Sequence, residues 1–139
     1  MNKCNFAVIG LGRIGLPIAI AAAVNGFNVI GIDKNKETVR RLIDKDLLFK
    51  EEGLQKKLLK TSNNTFFPYD ADKILNEDLE NVKYVTIAIG VQNVNRKYPE
   101  PFEYRPVRRI IDYLFEKNCI KGRIIFIRTT QPIGYTRIV

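Results

Sequence analysis

Three glycines in Gly10-Leu11-Gly12-Arg13-Ile14-Gly15, and the acid Asp33, are the residues whose types and spacing can do chemistry in this chain. The G-x-G-x-x-G spacing suits a pyrophosphate, because backbone amides must point at phosphate oxygens and side chains at the turn would block that approach. The positive end of a following helix completes such a site. Asp33 lies 18 residues beyond Gly15. There a carboxylate takes hydrogen bonds from the adenosine ribose hydroxyls and repels a 2′-phosphate, which favours NAD over NADP. Lys34 follows at once and partly offsets that repulsion. Arg13 either sets its guanidinium against the pyrophosphate or stays solvated.

Other chemistries are excluded by composition. The chain has no histidine and only two cysteines, Cys4 and Cys119, far apart in sequence. Neither a zinc site nor a Cys-His nucleophilic pair can be built from them, and both read as ordinary thiols of a reducing cytosol. Glu51, Glu52, Asp70 and Asp72 read as solvated acids near helix ends, with no pairing for acid-base catalysis.

A glycine loop binds a dinucleotide only if a strand feeds it and a helix leaves it. Residues 5–9 are short, apolar and β-competent, and a helical pattern begins at about Arg13. That helix shows Ile14, Ile18, Ala21 and Ala22 on one side and stops at Asn25-Gly26. Pro17 sits near its first turn, where a missing N–H is tolerated. Residues 27–32 form a second apolar strand ending in Asp33, which completes a βαβ unit. Residues 37–43 and 53–59 are amphipathic helices joined through Leu47-Leu48-Phe49, and 65–67 are a short strand. Phe27, Leu42, Leu54 and Leu58 are core positions. A turn at 78–81 precedes the strand 82–89, and a long loop runs from Gly90 to Pro106. Pro106 opens a helix reaching about Lys117, and Gly122 ends that unit before the strand 123–127. Strands alternating with helices predict an α/β fold: a doubly wound, mostly parallel Rossmann sheet in three αβα layers.

The 139 residues are the size of one domain, and we expect residues 1–139 to form a single nucleotide-binding unit. Lys and Arg number 23 against 15 Asp and Glu, so the surface attracts phosphorylated molecules. The cations are scattered rather than gathered into an arm, and no interleaved aromatic pattern accompanies them, so no nucleic-acid partner is expected. Lys3 and the alanine-rich run imitate a secretory signal, but Arg13 and Pro17 break it. Its longest nonpolar stretch, residues 14–24, falls short of the roughly 20 residues that span a bilayer. The expectation is a cytoplasmic protein without membrane contact, in which the sequon Asn63-Asn64-Thr65 is a chance match. Residues 129–139 read as a turn and the opening of another helix, so the pattern is that of a piece of something longer.

Four segments resemble the UDP-glucose/GDP-mannose dehydrogenase family, especially its UDP-N-acetylmannosamine-type members. They are the loop 10–17, the strand end Gly31-Ile32-Asp33-Lys34-Asn35, the turn Phe49-Lys50-Glu51-Glu52-Gly53-Leu54, and Arg128-Thr129-Thr130-Gln131-Pro132-Ile133-Gly134-Tyr135-Thr136. The third is similar to the family's Glu-Pro-Gly-Leu turn and the fourth to its Ser-Thr-x-x-x-Gly-Thr-Thr segment. The resemblance implies an enzyme that oxidises the C6 alcohol of a UDP-sugar to a carboxylate in two steps with two NAD. Its cysteine, lysine and asparagine would come from later domains that also dimerise the full-length protein, so this chain by itself is expected to bind cofactor and catalyse nothing.

The implied cofactor contacts are Gly10, Leu11, Gly12, Arg13, Ile14, Gly15, Asp33, Lys34, Ile89, Gly90 and Thr130. Thr130 falls where the family has a threonine that helps order water near the nicotinamide. It is the one residue expected to touch chemistry, or else it caps the following helix. The chain departs from the pattern at Gly90-Val91-Gln92, where Pro-Thr-Pro is usual, at Thr38, where a basic residue often meets the adenosine, and at Tyr135, which replaces a threonine. Two other readings share the glycine loop: a nucleotide-sensing regulatory domain of the potassium-channel type and a β-hydroxyacid-type dehydrogenase. Neither uses both the 51–54 turn and the 129–136 segment.

Overall fold

A computed structural model describes residues 4–61, 65–74, 76–90, 105–117 and 121–130. The chain runs β1 (Phe6–Ile9), α1 (Gly15–Val24), β2 (Val29–Asp33), α2 (Lys36–Ile43), α3 (Leu54–Lys60) and β3 (Phe66–Asp70). A short 3-10 turn (Ala71–Lys73) follows, then α4 (Asn76–Leu79), β4 (Tyr84–Ile87), α5 (Arg105–Glu116) and β5 (Ile124–Ile127). The five strands form one parallel sheet in the order β3-β2-β1-β4-β5. β1 is central, with Val8 opposite Gly31 on one side and Thr86 on the other. The order reverses at β1, and the crevice beyond the carboxyl ends of β1 and β4 is where such sheets receive ligands. The expected doubly wound, three-layer Rossmann architecture is present.

Two cores flank the sheet. On one face Leu16, Ile20, Leu42 and Leu58 are fully buried with Val8, Val29 and Phe66. Each such side chain stabilises the fold by about 1.5–3 kcal/mol. On the other, Ala7, Ile30, Val85 and Ile87 pack against Leu79, Val107 and Leu114. Of the four predicted core positions, Leu42, Leu54 and Leu58 are buried and Phe27 is half-buried, packed edge-on to Phe6 and Tyr84.

Three expectations need correction. α1 buries Gly15, Leu16, Ala19, Ile20 and Ala23, whereas Ile14 and Ala21 are exposed and Ile18 and Ala22 only partly covered. This helix is apolar on every side, so hydrophobic periodicity carries no contrast to choose a face. The choice is made by Gly15, as described below. Residues 76–79 are helical, so the turn expected at 78–81 is confined to 80–81. Arg123 stabilises its end by donating from Nε to Val82 O (2.7 Å) and from Nη2 to Leu79 O (2.7 Å), a pairing across 41 and 44 residues that local sequence cannot announce. Asp70 is buried rather than solvated, accepting from the Asp72 amide at 3.0 Å with Lys36 Nζ at 3.8 Å. It ends β3, an edge strand that tolerates Pro68. The sequon asparagines, Cys119, most of the 90–106 loop and residues 131–139 lie outside the described residues.

Cys4 is buried beside β1, and burial, aided by the Asp78 carboxylate, pushes its thiol up to about 11. A thiol that ionises at 9.0 when free and near 11 when folded stabilises the fold fully below the lower value. That contribution is lost as pH rises through the interval, and at about 1.4 kcal/mol per pH unit it amounts to about 2–3 kcal/mol. Denaturant melts taken across this window should therefore show a shallower loss of stability for Cys4→Ala than for the parent chain; parallel losses would acquit Cys4.

Candidate nucleotide-binding site

The three loop glycines meet three different surroundings. Gly10 has φ +95°, and a Cβ there would lie 2.8 Å from Ala88 O. A Cβ on Gly15 would lie 1.8 Å from Gly10 O, so the first turn of α1 rests directly on the backbone of the turn that precedes it. A Cβ on Gly12 would meet nothing within 4 Å. The first and third glycines thus serve the protein's own packing, while the second leaves an open approach to the backbone. These are the separate demands of a pyrophosphate cradle. Ile14 occupies the N-cap of α1 and offers no side-chain acceptor to the first turn, where the Leu16 amide is already engaged by Gly12 O at 3.0 Å and Pro17 has no N–H.

Asp33 braces this loop. Its Oδ2 accepts from the Leu11 amide at 2.7 Å and its Oδ1 from the Asn35 amide at 2.8 Å. A carboxylate has about four acceptor positions, so two remain for hydroxyl donors. The Leu11 side chain is buried, made welcome by Gly31, whose own Cβ would lie 3.0 Å from it. Leu11 therefore anchors the loop from beneath while Asp33 holds it from the side. Lys34 is exposed. Its neighbour Lys36 is engaged with Asp72 at 3.3 Å, and Asn35 caps α2 by accepting from the Glu37 and Thr38 amides. Thr38, which departs from the resemblance by standing in place of a basic residue, is buried within α2.

The ends of β4 and β5 complete the rim. Ala88 donates its N–H to Ile9 O at 2.8 Å, and Ile89 and Gly90 follow, half-buried and exposed. Thr129 is buried and donates its hydroxyl to Ile89 O at 2.9 Å, which ties the two strand ends together and leaves Thr130 exposed beside them. Beyond Arg13, a hollow of about 560 Å³ is lined by residues 47–52 and Gln55. None of the glycine-loop residues lines it; the two meet where the Arg13 guanidinium stands 5.4 Å from the centre of the Phe49 ring.

The description of one family fits residues 4–139: the UDP-glucose/GDP-mannose dehydrogenase family, NAD binding domain. The chain belongs to that family and is its NAD-binding domain. Over 125 residues it is 33% identical to the UDP-N-acetyl-D-mannosamine dehydrogenase of Methanococcus vannielii, covering 90% of this chain and 28% of that protein. Its fold matches the UDP-D-ManNAc dehydrogenase of Pyrococcus horikoshii with a TM-score of 0.82 at 25% identity, covering 96% of this chain and 30% of that one. The GDP-mannose dehydrogenase of Pseudomonas aeruginosa shares the fold with a TM-score of 0.82 at 15% identity, over 96% and 30% of the two chains. The chain spans less than a third of the length of these relatives. Among the described residues no helix is long and apolar enough to cross a membrane, and no cluster of metal-ligating side chains occurs.

In this NAD-binding domain the structure gathers Gly10 to Gly15, Asp33, Ile89, Gly90 and Thr130 at one end of the sheet, on the carboxyl ends of β1, β2, β4 and β5. Sequence reasoning missed Ala88 and Thr129. Ala88 had no signal, since its importance lies in what its carbonyl excludes at Gly10. Thr129 was one of two adjacent threonines, and only the pleat of β5 decides which turns inward. Gly15→Ala is expected to cost more than about 3 kcal/mol, the upper end for overpacking, because backbone rather than side chain must yield. Gly12→Ala should leave the melting temperature within a degree or so on the scale of a small stability change while weakening NAD binding. Equal melting temperatures for the two variants would contradict the assigned division of labour.

Proposed function

We propose that this chain is the cofactor domain of a nucleotide-sugar 6-dehydrogenase acting on a UDP-sugar. Gly10, Leu11, Gly12, Arg13, Ile14 and Gly15 hold the pyrophosphate, Asp33 and Lys34 meet the adenosine ribose, and Ile89, Gly90 and Thr130 flank the nicotinamide end. The observation that carries this reading is the Asp33 carboxylate, fixed by the Leu11 and Asn35 amides within the bend that follows β2. A fixed anion there accepts from a ribose bearing two hydroxyls and repels one bearing a 2′-phosphate. NAD, when bound, supplies the hydride acceptor for the C6 carbon of the sugar. In the net reaction an alcohol becomes a carboxylate by losing two hydrides, taking up the oxygen of one water and releasing three protons to solvent.

Within this scheme the chain's residues bind, orient and exclude. The open face of Gly12 admits phosphate oxygens to backbone amides, and the N-terminus of α1 adds its dipole. Thr130, exposed just beyond β5, would supply the hydroxyl that helps order water near the nicotinamide. As a cofactor domain the chain is expected to bind NAD without turning over UDP-sugars, the substrate half being supplied by the full-length protein, a homodimer in the cytoplasm.

Calorimetric titration of the chain with NAD, NADP and ATP tests the reading. NAD should bind at least about tenfold more tightly than NADP, and Asp33→Ala should weaken NAD by about ten- to a hundredfold, the worth of hydrogen bonds to a charged group. The same change should leave NADP much less affected. Tighter binding of ATP or NADP than of NAD would overturn the assignment.

A further inference from the structure

The contact between Arg13 and Phe49 joins the glycine loop to the connection between α2 and α3. Arg13 is exposed, follows the open Gly12, and has no ion pair among the described residues. Its guanidinium stands 5.4 Å from the Phe49 ring centre, within the range of a cation–π contact. Phe49 itself is half-buried and packs against the core that contains Leu16 and Leu54.

The segment bearing Phe49 is held on several sides. Lys45 adopts φ 58°, and its Nζ reaches Thr61 Oγ1 at 2.9 Å. Arg41 donates from Nη2 to Leu47 O at 2.6 Å and from Nε to Asp46 at 2.7 Å. The Gln55 amide donates to Lys45 O at 2.8 Å and accepts from Leu47 N at 3.3 Å. These contacts hold residues 45–47, just before Phe49, and the ring itself is seated by packing on the core beside the loop.

We propose that Phe49 is a positioning residue for the phosphate site: its ring holds the Arg13 guanidinium beside the glycine loop, so that the cation meets the pyrophosphate already ordered. An arginine that is free in solution loses much rotamer freedom when it grips a phosphate, and one already stacked loses less. Residues 45–55 thereby become part of the cofactor site without touching the cofactor. This inference rests on the NAD assignment above.

A double-mutant cycle on NAD affinity tests it. Phe49→Leu should weaken binding about two- to fivefold, the affinity equivalent of an exposed cation–π contact. Phe49→Tyr should restore it, and Phe49→Leu should have no further effect once Arg13→Gln is present. The chain has no tryptophan, so Phe49→Trp places a single reporter under Arg13. Its emission should change when inorganic pyrophosphate is added, and Arg13→Gln should abolish that change. If Phe49→Leu fails to fold, the Trp chain decides alone. An equal loss in both arginine backgrounds, no loss in either, or an emission indifferent to pyrophosphate or to Arg13→Gln overturns the proposal. A parent chain that does not bind NAD overturns the cofactor assignment itself, and this inference with it.

Discussion

The missing side chain of Gly15 lets α1 sit on the carbonyl of Gly10, closer than any other residue type would permit. That approach selects which face of α1 meets the sheet and brings its N-terminus over the end of β1. Gly10 itself is left-handed and lies against Ala88, where a side chain would collide with the Ala88 carbonyl. Leu16, Ala19, Ile20 and Ala23 then follow into the core by helical periodicity, and the alanines allow the helix to lie near β1 and β2. A methyl group at this one position would disturb both the packing and the aim of the helix dipole.

Around this contact the polar groups divide between holding the site and offering it. Asp33 does both, spending one acceptor position of each oxygen on the Leu11 and Asn35 amides. Thr129 only holds, bridging the ends of β4 and β5. Arg13 is on offer, steadied by an aromatic ring rather than by a counter-ion. A carboxylate partner for Arg13 would compete with an incoming phosphate, whereas the face of a ring leaves the donors of the guanidinium free. The chain's surplus of cations adds a general attraction for a doubly negative pyrophosphate group without selecting it.

Much of this was legible in the residues. The βαβ unit announced itself through two apolar strands, a glycine loop and an acid at a set distance, because each of those features is a local requirement of the turn it forms. The 49–54 turn and the 128–136 segment pointed to the same family that matches residues 4–139. What could not be read depended on partners distant in sequence. The buried face of α1 was misjudged since all its faces are apolar. The turn at α4 is stabilised by Arg123, more than 40 residues away. Asp70 looked like any surface acid until the sheet edge and the cap it makes for Asp72 enclosed it.

By itself, then, the sequence determined the order of the main strands and helices, the glycine-rich turn after β1 and the acid that ends β2, since these follow from local hydrophobic pattern and from the left-handed backbone that Gly10 supplies. Only the tertiary structure decided which glycine is open and which are filled, which threonine turns inward, and that a ring from the 45–55 segment stands under Arg13. Those outcomes depend on atoms brought together by strand pairing and helix packing. The free energy that settles them lies in contacts between residues tens of positions apart, to which local pattern is blind.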